Sequence, residues 1–423
     1  MKPLDNSSSR RSLMPKYLTA DEAADALDVT KNTLYAYVSR GLIRSEPDDE
    51  QRRTRRYRAS DVRRHVRKKK MRSDPEAAAG SALDFGLPVM ESALTLIDEG
   101  RTYYRGQDVC TLADTHTLEE GAALLWDLDA PLSLDDVAIS PIETHADAMP
   151  NETLRQSPVP HMQALLPTAE KTDPQAFARS RMGVAKTGFR LLKRFTDVVQ
   201  TADAATPSES RSGPVHERLC SAWNVSDAAA HSLVRMALVL CADHGLNVTA
   251  FTARCVASAG ATPYGAVNAA LSALQGRRHV GNAARVDALF REAQTPDRLE
   301  TTVIRRMQRG DAVPIASHSM YPDGDPRAMH LLNALDAHCP DAEGTAFGRE
   351  AQRIARDVLD RRPTIDLALV ACARALHLPS HAPLTLFAVG RTVGWIGHIH
   401  EQYAQDTIIR PRARYTGPPP AST

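Results

Sequence analysis

Apolar residues near the N-terminus recur at helical spacing in two short blocks. Ala23, Ala24 and Leu27 share one face of a predicted helix, capped by Thr19 with Glu22 at the capping-box position. A second predicted helix, Lys31 to Arg40, follows its cap Thr30. It carries Leu34 and Val38 on one face and stops at Gly41, a residue suited to a left-handed stop. Arg52 to Tyr57 reads as a short basic strand, and Ser60 caps a third helix from Asp61. Apolar and polar residues then alternate over Val89 to Ile97 and Thr102 to Tyr104, which predicts two short strands. From Thr117 onward helical spacing dominates. Long helices are predicted over Asp227 to Cys241, Thr249 to Ala259, Tyr264 to Gln275, Ala346 to Asp360 and Leu384 to Gln402. Two stretches rich in Pro, Ser, Thr and Asp, Ile139 to Pro160 and Thr201 to Gly213, read as loops. The expected fold class is mainly α.

Composition sharpens this. The chain has 423 residues, enough for two or three domains, and only 5% aromatics. The net charge of +1 hides an asymmetry: residues 1–73 hold 19 Lys and Arg against 10 Asp and Glu, while the remainder holds 33 against 41. A basic module of net +9 is thus appended to a body of net −8. The six cysteines form no C-x-x-C pair and read as reduced thiols, so a cytoplasmic setting is expected. No apolar run approaches the roughly 18–20 residues of a membrane span, and residues 1–11 are too polar for a signal peptide. The expected division is a disordered tail at 1–15, a DNA-contacting module at 16–72, a linker at 73–82, a large helical domain at 83–280 completed by 382–423, and a smaller one at 281–381.

In the basic module, Lys31, Asn32 and Tyr35 lie on the polar face of the second helix, where they can reach base edges or phosphates. Arg53, Arg55 and Arg56 give the following strand the character of a phosphate-contacting wing. Tyr17 to Arg44 with Arg56 to Val62 resembles the winged helix-turn-helix of mercury-resistance-type regulators and phage excisionases. A solvated charged face on a small bundle is the plainer alternative.

The larger body carries Ala242-Asp243-His244-Gly245-Leu246-Asn247, Gly276-Arg277-Arg278-His279, His318 before Tyr321-Pro322-Asp323-Gly324-Asp325-Pro326-Arg327, Pro363-Thr364-Ile365-Asp366, Phe387-Ala388-Val389-Gly390-Arg391 and Ile409-Arg410-Pro411-Arg412. In this order the segments resemble the citrate synthase family over about 340 residues. The resemblance implies a two-domain, all-helical fold with a cleft that closes on substrate. It implies condensation of acetyl-CoA, or a close acyl-CoA, with oxaloacetate to give citrate and CoA, with no tightly bound cofactor. Asp366 would remove the thioester α-proton, His279 would donate to the enol oxygen and His318 would polarise the ketone. A carboxylate can take so weakly acidic a proton only if the enolate is stabilised as it forms. His244, Arg327 and Arg391 would hold the oxaloacetate carboxylates, for which guanidinium forks suit bidentate contact. Arg410 would reach in from the partner of a homodimer. His330, His377, His381, His398 and His400 have no comparable context and are expected to be structural or surface residues.

Two segments depart from the family pattern. Val280 follows His279 where a glycine is usual, and Pro314-Ile315-Ala316-Ser317-His318 replaces Gly-x-Gly-His, so Ile315 and Ser317 stand for glycines at the expected CoA-binding segment, residues 314–317. β-Branched residues fit poorly where positive φ is needed. Two alternatives follow: a catalytically weakened DNA-binding regulator that senses oxaloacetate or acyl-CoA, and a 2-methylcitrate synthase using propionyl-CoA.

Overall fold

The structure, a computed structural model, describes residues 17–47, 54–59, 61–62, 65–66, 90–139, 157–203, 212–276, 281–316, 321, 324–413 and 415–418. The expected disordered tail and linker, Arg53, His279, Val280, Ser317 and His318 lie outside these residues. The chain divides into two compact units, residues 1–91 and 92–423.

In the first unit, β1 (Tyr17–Leu18) leads into α1 (Ala20–Leu27), where Thr19 and Glu22 form the reciprocal capping box. Thr30 caps α2 (Lys31–Ser39) by accepting from the Thr33 amide. The expected wing is an antiparallel sheet ordered β1–β3–β2, with β2 at Ser45–Pro47 and β3 at Arg55–Arg58. β1 and β2 are two and three residues long, too short for alternation to announce them. Ala23, Leu27, Leu34, Ile43, Tyr57 and Val62 close a small core. Buried Asp61 locks the unit by accepting from the Arg44 amide at 3.0 Å and from its guanidinium at 2.9 and 3.0 Å.

The second unit opens with an antiparallel sheet of β4 (Thr95–Asp98), β5 (Arg101–Tyr104) and β6 (Gln107–Asp108). The first strand starts at Thr95 rather than Val89. Helices follow: α3 (Val109–Thr115), α4 (Leu118–Leu125), α5 (Pro158–Thr172), α6 (Arg181–Asp203), α7 (Val215–Ala222), α8 (Ala228–Cys241), α9 (Val248–Ser258) and α10 (Pro263–Leu274). The series continues with α11 (Gly281–Ala293), α12 (Leu299–Arg309), α13 (Pro326–His338), α14 (Glu343–Asp357), α15 (Ile365–Ala375) and α16 (Ala382–Gln405). The predicted loops are shorter than expected at both described margins, because α5 begins at Pro158 and α6 runs on to Asp203.

α16 is the axis of the larger core. Leu386, Val389, Val393, Trp395, Ile396 and Ile399 are buried along it, so a surface stripe does not describe it. Gly390 and Gly394, one turn apart, let the C-terminal end of α8 approach its backbone. A Cβ on Gly390 would fall 2.6 Å from the Leu238 carbonyl oxygen, and one on Gly394 would fall 2.5 Å from that of Ala242. A second core gathers Val286, Leu289, Phe290, Val303, Phe347 and Ile354 from α11, α12 and α14. α13 and one face of α15 pack into the larger core, and the opposite face of α15, through Leu367 and Val370, enters the second. The helix that carries Asp366 therefore bridges the two. No helix among the described residues is long and apolar enough to cross a membrane.

Candidate active site

The site is assembled from three helix ends and one buried helix interior. At the start of α13, Asp325 is the N-cap, Pro326 takes the first helical position and Arg327 the second. The Arg327 side chain folds back on its own cap: Nε donates to Asp325 Oδ1 at 3.0 Å and Nη2 to Oδ2 at 2.8 Å. Both residues are buried. Burial opposes the charge on Arg327, but the Asp325 carboxylate and Tyr321 more than offset it and hold the guanidinium firmly protonated. The remaining nitrogen, Nη1, is buried with no hydrogen-bond partner among the described residues.

Arg391 faces the same region from the interior of α16. Its Nε donates to the Cys241 carbonyl at 2.7 Å, where the last turn of α8 leaves a carbonyl unused, and its plane stacks on Phe387. Burial lowers its affinity for the proton; Asp243 opposes this, while the nearby charge of Arg327 adds to it. Its Nη1 also lacks a hydrogen-bond partner among the described residues. Two buried cations close enough to repel, each with an Nη1 that has no partner among the described residues, leave this region with an excess of positive charge and unused donors.

Past α8 the chain turns through Asp243, His244 and Gly245. Tyr104 of β5 clamps this turn: its hydroxyl donates to the Asp243 carbonyl at 3.0 Å and accepts from the Asp243 amide at 2.9 Å. The buried Asp243 carboxylate accepts from Thr95 at 2.6 Å and from the Gly245 amide at 3.0 Å, and its Oδ1 lies 3.4 Å from His398 Nε2. Burial would raise the pKa of Asp243, but His398, Arg391 and Thr95 together draw it below the ordinary carboxylate range. His244 Nε2 lies 2.7 Å from the Tyr321 hydroxyl.

Asp366 is the second residue of α15, whose N-cap is Thr364. Its carboxyl accepts from Asn282 Nδ2 at 3.3 Å, and the same amide group donates to the Pro314 carbonyl at 3.2 Å. An isolated bridge between Ala316 and Pro363 draws the 314–316 segment against the start of α15. Burial pushes the Asp366 carboxyl up, and it wins over the opposing pull of Asn282 and Arg327. A base with a raised pKa is the kind a proton abstraction needs.

The structure thus brings Asp366, Arg327 and Arg391 into one electrostatic neighbourhood, and the Tyr321 hydroxyl links His244 to the segment that precedes Arg327. Pro314, Ile315 and Ala316 are buried, and the side chains of Ile315 and Ala316 belong to the second core. Ile315 is not among the residues with positive φ, and a β-branched residue is unstrained there. Arg410 is exposed on the segment after α16. Of the histidines without motif context, His398 is buried against Asp243, His381 is buried with Nε2 3.0 Å from Asp203 Oδ1, and His330 lies near the surface beside Asp114. The sequence reading missed Tyr104, Asp243, Asn282 and Tyr321. Asp243, Asn282 and Tyr321 each lie within three residues of a histidine singled out above, which was the one available signal.

In the first unit Lys31, Asn32 and Tyr35 are exposed along α2. Lys31 pairs with Asp21 at 2.6 Å, Arg55 donates to the Ser45 hydroxyl and carbonyl, and Arg56 stacks over Tyr17.

Fold and site define a helical protein in which two buried guanidinium groups stand in the same electrostatic neighbourhood as a carboxyl whose pKa is raised. The family model for the citrate synthase C-terminal domain matches residues 83–412, and one for a helix-turn-helix domain matches residues 17–70. The chain is 28% identical to a citrate synthase of Haloferax volcanii, over 78% of this chain and 94% of that one. It is 26% identical to a 2-methylcitrate synthase of Corynebacterium glutamicum, over 74% and 88%. The fold matches that of the Thermoplasma acidophilum citrate synthase solved with carboxymethyl coenzyme A and oxaloacetate, at a TM-score of 0.66 and 22% identity over 80% of this chain and 96% of that one. The chain belongs to the citrate synthase family, with a helix-turn-helix domain at its N-terminus, and is a citrate synthase-type enzyme.

Proposed function

We propose that this protein condenses acetyl-CoA with oxaloacetate, using Asp366 as the base and Arg327, Arg391 and His244 to hold the dicarboxylate. The observation that carries the reading is the pair of buried guanidinium groups, each with an uncommitted Nη1, beside a carboxyl whose pKa is raised by burial. His279 and His318 take the enol and ketone roles by family resemblance. Proton abstraction by Asp366 gives the enol, its attack on the ketone forms citryl-CoA, and water releases CoA. The assay follows free thiol release from acetyl-CoA and oxaloacetate, with propionyl-CoA in parallel. Faster turnover of propionyl-CoA would make the enzyme a 2-methylcitrate synthase. Absent thiol release with retained oxaloacetate binding by calorimetry would make it a sensor, and loss of both would overturn the reading.

We place the active unit as a homodimer in the cytoplasm. Exposed Ile408 and Arg410 on the C-terminal segment support a partner contact, and six free cysteines support a reducing compartment. Light scattering that gives a monomer mass would remove Arg410 from the site.

The first unit is assigned to DNA through Lys31, Asn32 and Tyr35, with Arg53, Arg55 and Arg56 on the backbone. Gel shifts should weaken steeply with salt, disappear on deletion of residues 1–72 and lessen uniformly across sequences in Lys31→Ala. No shift at low salt would exclude the assignment.

Substitution at Gly394 probes the packing under the site. Gly394→Ala drives a methyl into the Ala242 carbonyl and the Asp243 carboxylate, neither of which can yield easily. A loss of about 1–3 kcal/mol is expected, the usual cost of overpacking, with weaker oxaloacetate binding because His244 follows directly. Thermal denaturation and calorimetry together read both, and an unchanged Tm would show that the helices can separate freely.

A further inference from the structure

We propose that Tyr321 is a positioning residue for the condensation, its hydroxyl holding the His244 ring by joining it to Thr102 on β5. This rests on the substrate-binding role given to His244 above.

The Tyr321 hydroxyl lies 2.7 Å from His244 Nε2 and 2.8 Å from Thr102 Oγ1. Tyr321 and Thr102 are both buried, so their hydroxyl pair is shielded from water, while His244 is half-buried. A buried phenol stays protonated and has one hydrogen to give. If it gives that hydrogen to Nε2, the imidazole is fixed as the tautomer protonated at Nδ1, and Thr102 donates to the phenol oxygen. If it receives from Nε2, it passes its own hydrogen to Thr102. In either arrangement one ring nitrogen is held by the hydroxyl pair, which restrains the ring's rotation. The two rings also meet at a tilt, with centroids 5.6 Å apart, which restricts ring rotation further.

Tyr321 has a second consequence through its place in the chain. It stands three residues after His318 and four before the Asp325 cap that holds Arg327. Bonding to Thr102 and His244 ties Tyr321 itself to β5. Tyr104, on the same strand, clamps the Asp243 backbone. Two side chains of one short strand, Thr102 and Tyr104, thus position both sides of the dicarboxylate site.

The test is Tyr321→Phe, which keeps the ring and deletes the hydroxyl, alongside Thr102→Val, which deletes the supporting group and leaves Tyr321 in place. Oxaloacetate binding is measured by calorimetry, with KM for oxaloacetate and for acetyl-CoA, kcat and Tm. Tyr321→Phe should weaken oxaloacetate binding roughly tenfold, the cost of stranding one buried polar group. KM for acetyl-CoA should stay within about twofold. Thr102→Val should shift in the same direction by less, and the double variant should fall short of the sum. Equal losses for both substrates, or unchanged oxaloacetate affinity in both single variants, would overturn the proposal. If Tyr321→Phe does not fold, Thr102→Val decides alone, by loss or retention of selective oxaloacetate affinity. Wild-type protein that binds no oxaloacetate would instead sink the functional reading itself.

Discussion

Asp366→Asn is expected to lower kcat by about 10²–10⁴-fold, the usual worth of a positioned general base, while oxaloacetate binding persists. The amide keeps the shape of the carboxyl and cannot take a proton. Its effect on stability should run the other way. In the folded protein burial raises the Asp366 pKa, so the ionised form is disfavoured relative to the unfolded chain. Any stability gained from that carboxyl is therefore present in acid and is lost as pH rises through the folded value. The Asn variant does not titrate, so at neutral pH its Tm should equal or exceed that of the parent, and the advantage should fade in acid. The activity of the parent has the opposite dependence. In the proposed role of base Asp366 must be ionised, so kcat/KM should fall as pH drops, beginning at a higher pH than an ordinary aspartate would give. A pH–rate profile with parallel thermal melts checks both signs. Retention of more than a tenth of the turnover in Asp366→Asn would remove the residue from the role of base.

Arg327→Met should be the most damaging single change to stability, at about 3–5 kcal/mol, because it leaves the Asp325 carboxylate buried without its counter-ion. Asp325 would keep its cap bond to the Arg327 amide position, but one backbone donor does not replace a bidentate guanidinium. The companion Asp325→Asn/Arg327→Met should recover much of this loss, since removing both charges removes the stranded one. Neither variant should bind oxaloacetate, because the spare Nη1 is gone in each. Denaturant titrations around this double-mutant cycle separate structural from binding contributions. If Arg327→Met were as stable as the parent, the ion pair would be a surface-like contact that water already screens, contrary to its burial.

The local signals in the sequence were of unequal worth. Thr19, Glu22 and Thr30 marked helix starts because capping is chemistry between residues three apart, which chain order preserves. Asp325 and Pro326 start α13 through the same kind of local chemistry, although no helix was expected there. α16 ran past both expected ends, to Ala382 and Gln405, because it is buried on nearly all sides and has no polar face to mark its limits. The strand expected from Val89 began at Thr95, where pairing with Tyr104 becomes possible. In the site, arginine and aspartate motifs stood out by type and order. Tyr104, Tyr321 and Asn282 did not, since a tyrosine or asparagine has no motif of its own and nearness to a histidine was the only hint for the latter two. The pairing of Asn282 with Asp366 joins residues 84 positions apart.

By itself the sequence determined the family, the mainly helical class, the helix caps and the residue types that could carry out a condensation, because each depends on composition, order or contacts a few residues apart. Only the tertiary structure decided that burial raises the Asp366 pKa, that Arg327 spends two nitrogens on Asp325 and keeps a third uncommitted, and that Ile315 turns into a core. Those outcomes are set by exclusion of water and by long-range packing, and neither is written in the spacing of residues along the chain.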